Sequence, residues 1–170
     1  MKFEDLLLSE KKNYFYIMHL SYGGDKKEQE RLWNYATSHN LIGLDQPKIV
    51  KTDWTTLSEP EKKATSRTWI RQFNDFCSNM KTGDYVVILN GWTHLLGIAR
   101  IAEPRHKFDR RLTGKEEKGF FDHIRKVDWK LRYEYSKRLP LLQYVKGFNN
   151  TLSKVSPDSS WWNILTKVEL

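Results

Sequence analysis

Five histidines, one cysteine and 21 acidic residues are the groups in this chain that could carry out catalysis or bind a metal. The histidines are His19, His39, His94, His106 and His123, and no two stand at a helical ligand spacing. With no Cys pair and no local Cys/His cluster, the spacing predicts no structural metal site. The lone thiol, Cys77, falls on the apolar stripe of a predicted helix, which predicts a buried, inert group. Acidic pairs such as Glu116-Glu117 sit in a charge-rich loop and read as solvated. No GxxxxGK[ST] loop, GxGxxG fingerprint or GxSxG elbow is present, so no cofactor and no nucleophile are expected. These residues point to a binding module rather than an enzyme.

The chemistry left is that of rings and cations. Asp84 to Ile101 reads as two apolar strands around Asn90-Gly91, a hairpin dipeptide whose residues both tolerate positive φ. Trp92 follows the turn directly. The chain carries a net charge of +8, and twelve Lys/Arg against six Asp/Glu fall between Arg105 and Arg138. A local basic excess is the footprint of a polyanion binder. Arg105, Lys107, Arg110, Arg111 and Arg125 are the expected phosphate contacts. Trp54 stands among Thr52, Asp53, Thr55 and Thr56 with no core stripe, so it is a candidate base-stacking residue. Asp45, before Gln46-Pro47, could accept from the exocyclic amine of adenine or cytosine.

The elements that must position these groups read as β–α–β–α–β–β–loop–β–(α)–β–α. Tyr14 to Leu20 is a predicted first strand, and Asp25 caps a helix to about Ser38 with Leu32, Trp33 and Ala36 inward. Residues 41–44 form a second strand. Ser58 and Glu61 open a capping box, with Pro60 harmless in the first turn. Trp69, Phe73, Phe76 and Met80 continue that helix as one stripe, which Gly83 ends. The hairpin pairs 85–89 with 94–102, and 103–120 is a long loop. His123 to Trp129 is another strand, 140–145 a turn or short helix, 151–155 the last strand and 158–170 a terminal helix. Trp33, Trp69 and Trp129 are expected in the core, and Trp161-Trp162 anchor the terminal helix.

Short strands with two or three helices predict an α+β domain whose mixed sheet curls toward a small barrel. At 170 residues the chain suits one domain. Its expected divisions are a lead at 1–13, a binding domain at 14–157 and a helix or linker at 158–170. Leu6-Leu7-Leu8 is too short for a signal peptide or a membrane span, and one cysteine fits a reducing compartment. A cytoplasmic location and no membrane partner are expected.

The strand YFYIMHLSYGG, the LIGLD element, VILNGWTHLLGIARI and FFDHIRKVDW together resemble the PUA-like superfamily, and within it the EVE and YTH branch. The resemblance covers roughly residues 14–155, and HIRKVDW is its most specific part. It implies a pocket at the strand ends that holds one extruded base. Ser21 and Tyr22 would shape it, Leu44 occupies the place where the family often carries a cage Trp, and Phe108 lies near a second cage position. Trp92 completes the candidate set with Asp45 and Trp54. Such domains also stand at the N-terminus of McrB-type, modification-dependent restriction proteins, fused to or acting with a nucleotide-driven motor and a nuclease. The resemblance therefore implies a reader of a modified base, with a methylated base and DNA as the favoured ligand. A YTH- or PUA-type RNA reader is one alternative, and an enzyme or toxin acting on nucleic acid is another.

Overall fold

The computed structural model describes residues 5, 14–20, 25–46, 50–109, 121–141, 150–156 and 159–166. Its elements are β1 (Phe15–His19), α1 (Lys26–Ser38), β2 (Leu41–Leu44), α2 (Glu59–Lys63), α3 (Arg67–Asn74), β3 (Tyr85–Asn90), β4 (His94–Ile101), β5 (Lys107–Phe108), β6 (His123–Arg132), β7 (Leu139–Pro140), β8 (Leu152–Val155) and α4 (Ser160–Leu165). A 3-10 turn, Trp54–Thr56, follows β2, a π turn, Asp75–Asn79, continues α3, and a second 3-10 turn, Tyr135–Lys137, follows β6.

The fold is α+β, as expected. Among the described residues the strands form one eight-stranded mixed sheet in the order β2-β6-β4-β3-β1-β8, with β5 added to β6 and β7 to β4. β1 and β3 run parallel and the other pairs antiparallel. The sheet path is open rather than a closed barrel among the described residues, because β2 and β8 are its two ends. Irregularities at Ile88/Leu89 and Ile98/Ala99 interrupt the β4 ladders, and such bulges add local bend and twist.

Both faces of the central strands are buried, which explains why YVVIL reads as a continuous apolar run. Tyr16, Met18, Val86 and Ile88 face a cluster with Leu32 and Trp33 of α1 and Phe73 of α3. Phe15, Ile17, Tyr85 and Val87 face a second cluster with Ile164 and Leu165 of α4. The terminal helix is thus packed against the sheet, with Trp162 edge-on to Phe15 at 5.6 Å. The side chain of Trp161 lies outside the described residues. Trp33 is buried and Trp129, half-buried, meets it edge-on at 5.1 Å.

Local signals set most element starts. Asp25 accepts from Lys27 N at 2.8 Å and opens α1. The Ser58/Glu61 capping box forms at α2, with Pro60 in the first turn. The single long helix expected from Ser58 onward is instead three pieces. It breaks after Lys63 and restarts at Ser66, then loosens into the π turn. Ser66 caps the restart through its extended backbone, without a side-chain cap bond.

The hairpin also differs from expectation. Asn90 pairs with His94, so the loop holds Gly91, Trp92 and Thr93, and Gly91 alone of the Asn90-Gly91 pair has positive φ, 59°. The expected long loop contains β5, and β6 runs three residues past Trp129 to Arg132. The expected turn at 140 is partly β7, while 142–149 lie outside the described residues. No helix among the described residues is long and apolar enough to cross a membrane.

Candidate functional site

Three short stretches meet at one end of the sheet. β2 pairs with β6 so that Leu44 stands opposite His123, and β5 pairs with the other side of β6 so that Phe108 also faces His123. Phe108, His123 and Leu44 therefore form one cross-strand row. The next row is acidic. Asp109 N donates to Asp122 O at 3.0 Å, and continuing the β2 register places Asp45 on the far side of Asp122. The close approach of β2 depends on Gly43, because a Cβ there would lie 1.8 Å from Phe121 Cγ.

Asp45 is half-buried, and its Oδ1 is buried with no hydrogen-bond partner among the described residues. Burial, reinforced by the charge of Asp122 and opposed by the Gln46 backbone, pushes its carboxyl up to about 7. A carboxyl held there is short of a donor, since a hydrogen bond to its charged form would lower it again.

His123 is fully buried. Its Nε2 accepts from Trp54 N at 3.0 Å, so the proton of the neutral ring sits on Nδ1. Burial, helped by neighbouring His106 and opposed by Asp53 and the Leu44 backbone, pushes its pKa down to about 4. The rings of Phe108 and Phe73 lie 4.9 and 5.1 Å from it.

Trp54 belongs to this packing, which corrects its expected place as a loop ring open to a base. It is 0% exposed, stacks on Phe73 at 5.1 Å and donates its indole N–H to Asn74 Oδ1 at 2.8 Å. The polar neighbours that suggested a surface loop serve the 3-10 turn instead. Asp53 Oδ1 accepts from Thr55 N at 2.9 Å and from Thr55 Oγ1 at 2.8 Å.

The same carboxylate holds His106 Nε2 at 2.9 Å, while His106 Nδ1 lies 3.2 Å from the Cys77 carbonyl oxygen. Burial of Asp53 works to raise its carboxyl, but the Thr55 backbone, His106 and the Thr55 hydroxyl outweigh it, so its pKa is lowered. The cluster that local spacing did not predict is thus present in space. One ligand atom from each of Cys77, His106 and His123 lies within 4.8 Å of the others.

Arg125 corrects a second expectation. It is 1% exposed, and its guanidinium donates to the carbonyls of Phe76, Cys77, Glu103 and Pro104. Burial lowers its pKa. It ties the π turn to the loop after β4 and cannot reach a phosphate from there.

The other sequence candidates divide by position. Leu44 is in the core at 1% exposure, beneath the acidic row. Phe108 is half-buried on the same row. Trp92 is half-buried in the second cluster, on the opposite face from Leu44 and Trp54, with its ring 4.5 Å from His19. Arg105 and Lys107 are exposed, and Lys107 pairs with Glu103 at 3.0 Å. Ser21, Tyr22, Arg110 and Arg111 lie outside the described residues. Sequence reasoning missed Asp53, His106, Asp122 and His123. The one local signal for them was that Asp122 and His123 open the HIRKVDW strand.

Residues 19–156 match the model of a family described as a Domain of unknown function (DUF8426). Among curated proteins, none matches the chain. Among solved structures, the chain is similar to the YTH domain of the Zygosaccharomyces rouxii MRB1 protein in complex with N6-methyladenosine RNA. The identity is 11% and the TM-score 0.45, over 93% of this chain and 90% of that chain.

Proposed function

The chain belongs to the DUF8426 family, and we propose that it is a non-enzymatic, PUA-like binding domain that reads a modified base in nucleic acid. The observation that carries this reading is the half-buried Asp45 at the strand ends, whose Oδ1 has no hydrogen-bond partner among the described residues. The acceptor stands one strand away from a second carboxyl, Asp122, with β6 between it and the β5 strand that carries Phe108. An acidic rim disfavours phosphate and favours the donor edge of a base, so adenine or cytosine, each with an exocyclic amine, is the expected ligand. Arg105 and Lys107, on the segment leading into Phe108, supply sequence-independent attraction for the backbone.

Base extrusion costs a few kcal/mol, and stacking on one ring returns roughly 1–3 kcal/mol. A buried methyl contributes about 0.8 kcal/mol, or about fourfold in affinity. DNA is the proposed polymer, on the resemblance of HIRKVDW to EVE-type domains, and the domain would serve as the specificity module of a modification-dependent restriction system.

Fluorescence anisotropy with matched duplexes, one carrying a single methylated adenine or cytosine, tests the reading. The methylated duplex is expected to bind at least about fourfold more tightly, and Asp45→Leu, which removes the acceptor for an amine that both duplexes carry, is expected to weaken both. Equal affinity for both duplexes by the unaltered protein would sink it. Tighter binding to single-stranded RNA with the same base would move the reading to the RNA alternative. Turnover of either polymer would favour the enzyme alternative.

A further inference from the structure

We propose that Cys77, His106 and His123 form a zinc-binding site that fastens the π turn, the segment before β5 and the first residue of β6 together. The three ligands come from elements far apart in sequence, yet their donor atoms lie within 4.8 Å of one another. All three side chains are enclosed: Cys77 is 7% exposed, His123 0% and the His106 side chain 8%.

The hydrogen bonds of His106 hold its ring in place. A neutral imidazole has one N–H. Directed from Nε2 to Asp53 Oδ1 at 2.9 Å, it leaves the Nδ1 lone pair facing the Cys77 carbonyl oxygen at 3.2 Å. Both ring nitrogens thus face an acceptor, and a cation on Nδ1 has to turn the Cys77 carbonyl aside. Asp53–His106 with a metal on Nδ1 is also the carboxylate–histidine arrangement that orients metal ligands.

The donor set selects the ion. One thiolate with two imidazoles suits zinc and excludes the oxygen-seeking magnesium and calcium. Zinc bonds of about 2.0–2.3 Å place ligand atoms roughly 3.3–3.8 Å apart, so the three side chains must close in by about 1 Å. Three protein ligands leave a fourth position for water. On binding, the Cys77 thiol releases its proton to solvent; burial and the Asp53 charge hold that proton on, the Arg125 guanidinium offsets them in part, and the metal's own charge must supply the rest. If His123 coordinates through Nε2, that lone pair leaves the Trp54 amide, so zinc loading and the turn at Asp53–Thr56 are linked.

The test uses the full chain, stripped with a chelator and titrated with zinc or with cobalt(II). One equivalent is expected to bind, and cobalt is expected to show a thiolate-to-metal charge-transfer band. Cys77 is the single cysteine of the sequence, so zinc should also slow its alkylation in the unaltered protein, which requires no variant to fold. Cys77→Ser and His106→Gln are expected to abolish the band with unchanged circular dichroism. Asp53→Asn is expected to weaken zinc about 10–100-fold. The site is overturned if the unaltered protein gives no cobalt band, if alkylation is independent of zinc, or if the band survives His106→Gln.

Discussion

The backbone N–H of Trp54 donates to Nε2 of His123 across 69 residues of sequence, at 3.0 Å. This one bond fixes the histidine tautomer, closes the turn over the sheet end and draws the Trp54 ring into the core. It also makes the pH behaviour of the metal-free protein calculable in sign.

His123 and Asp45 are expected to act in opposite directions on stability between about pH 4 and 7. An unfolded histidine takes a proton near about 6.5, while folded His123 resists it until about 4. The unfolded state then binds more protons, so stability falls as pH drops through this window. Asp45 in the folded protein keeps its proton up to about 7, whereas an unfolded Asp loses it near about 3.9. The folded state then binds more protons, so stability falls as pH rises. Urea unfolding with chelator present should show the two effects partly cancelling. Asp45→Asn should leave a profile that rises with pH, and His123→Gln one that falls. Asp45→Asn should also gain on the order of 1–2 kcal/mol at pH 8 once its partial exposure is allowed for. Unchanged slopes in both variants would refute the assignment.

Trp54→Ala is expected to cost about 3–5 kcal/mol of stability, measured by denaturant midpoint, rather than acting on ligand binding alone. Trp54→Phe keeps the stack on Phe73 and leaves Asn74 Oδ1 without its donor, so its cost should be nearer about 1–3 kcal/mol. A fully stable Trp54→Ala with weakened binding would return Trp54 to the role of an exposed stacking ring.

Arg125 and the exposed cations should separate cleanly in a salt titration of nucleic-acid binding. Arg105→Ala and Lys107→Ala are each expected to reduce the slope of log affinity against log salt by about 0.7–0.9. Arg125→Met should leave that slope unchanged and destabilise the fold, by about 1–3 kcal/mol for each carbonyl of Phe76 and Cys77 that finds no other donor. A shallower slope for a folded Arg125→Met protein would contradict its enclosed position.

Gly43→Ala should displace the Phe121 ring, since the new Cβ would fall 1.8 Å from Phe121 Cγ. The expected cost is about 1–3 kcal/mol. Adding Phe121→Ala should make the second substitution less costly than it is alone, as coupled neighbours require. Simple additivity in the thermal melts would show that the two positions do not meet.

The sequence fixes local events because their causes are local. Asp25 and the Ser58/Glu61 box start helices through groups two or three residues away, and the continuous apolar run YVVIL announces a strand buried on both faces. Those signals were enough for the α+β class and for most element positions. They were not enough for the helix after Ser58, where the stripe of Trp69, Phe73, Phe76 and Met80 spans a cap and a π turn. Side chains can keep facing one core while the backbone changes its hydrogen bonding.

The site was less legible for a reason of distance. Polar neighbours around Trp54 suggest exposure, but their polarity is used up within the turn that buries the ring. Arg125 looks like its basic neighbours in the chain, yet strand alternation and four carbonyls from other elements enclose it. Residue type and period alone determined most of the strands and helices and where a basic, aromatic chain carries its charge. Only the tertiary structure decided that Leu44, Phe108 and His123 share a row, that Asp45 stands beside Asp122, and that Cys77, His106 and His123 converge. Cross-strand neighbours are set by register, and register between strands far apart in sequence has no local signature in the chain.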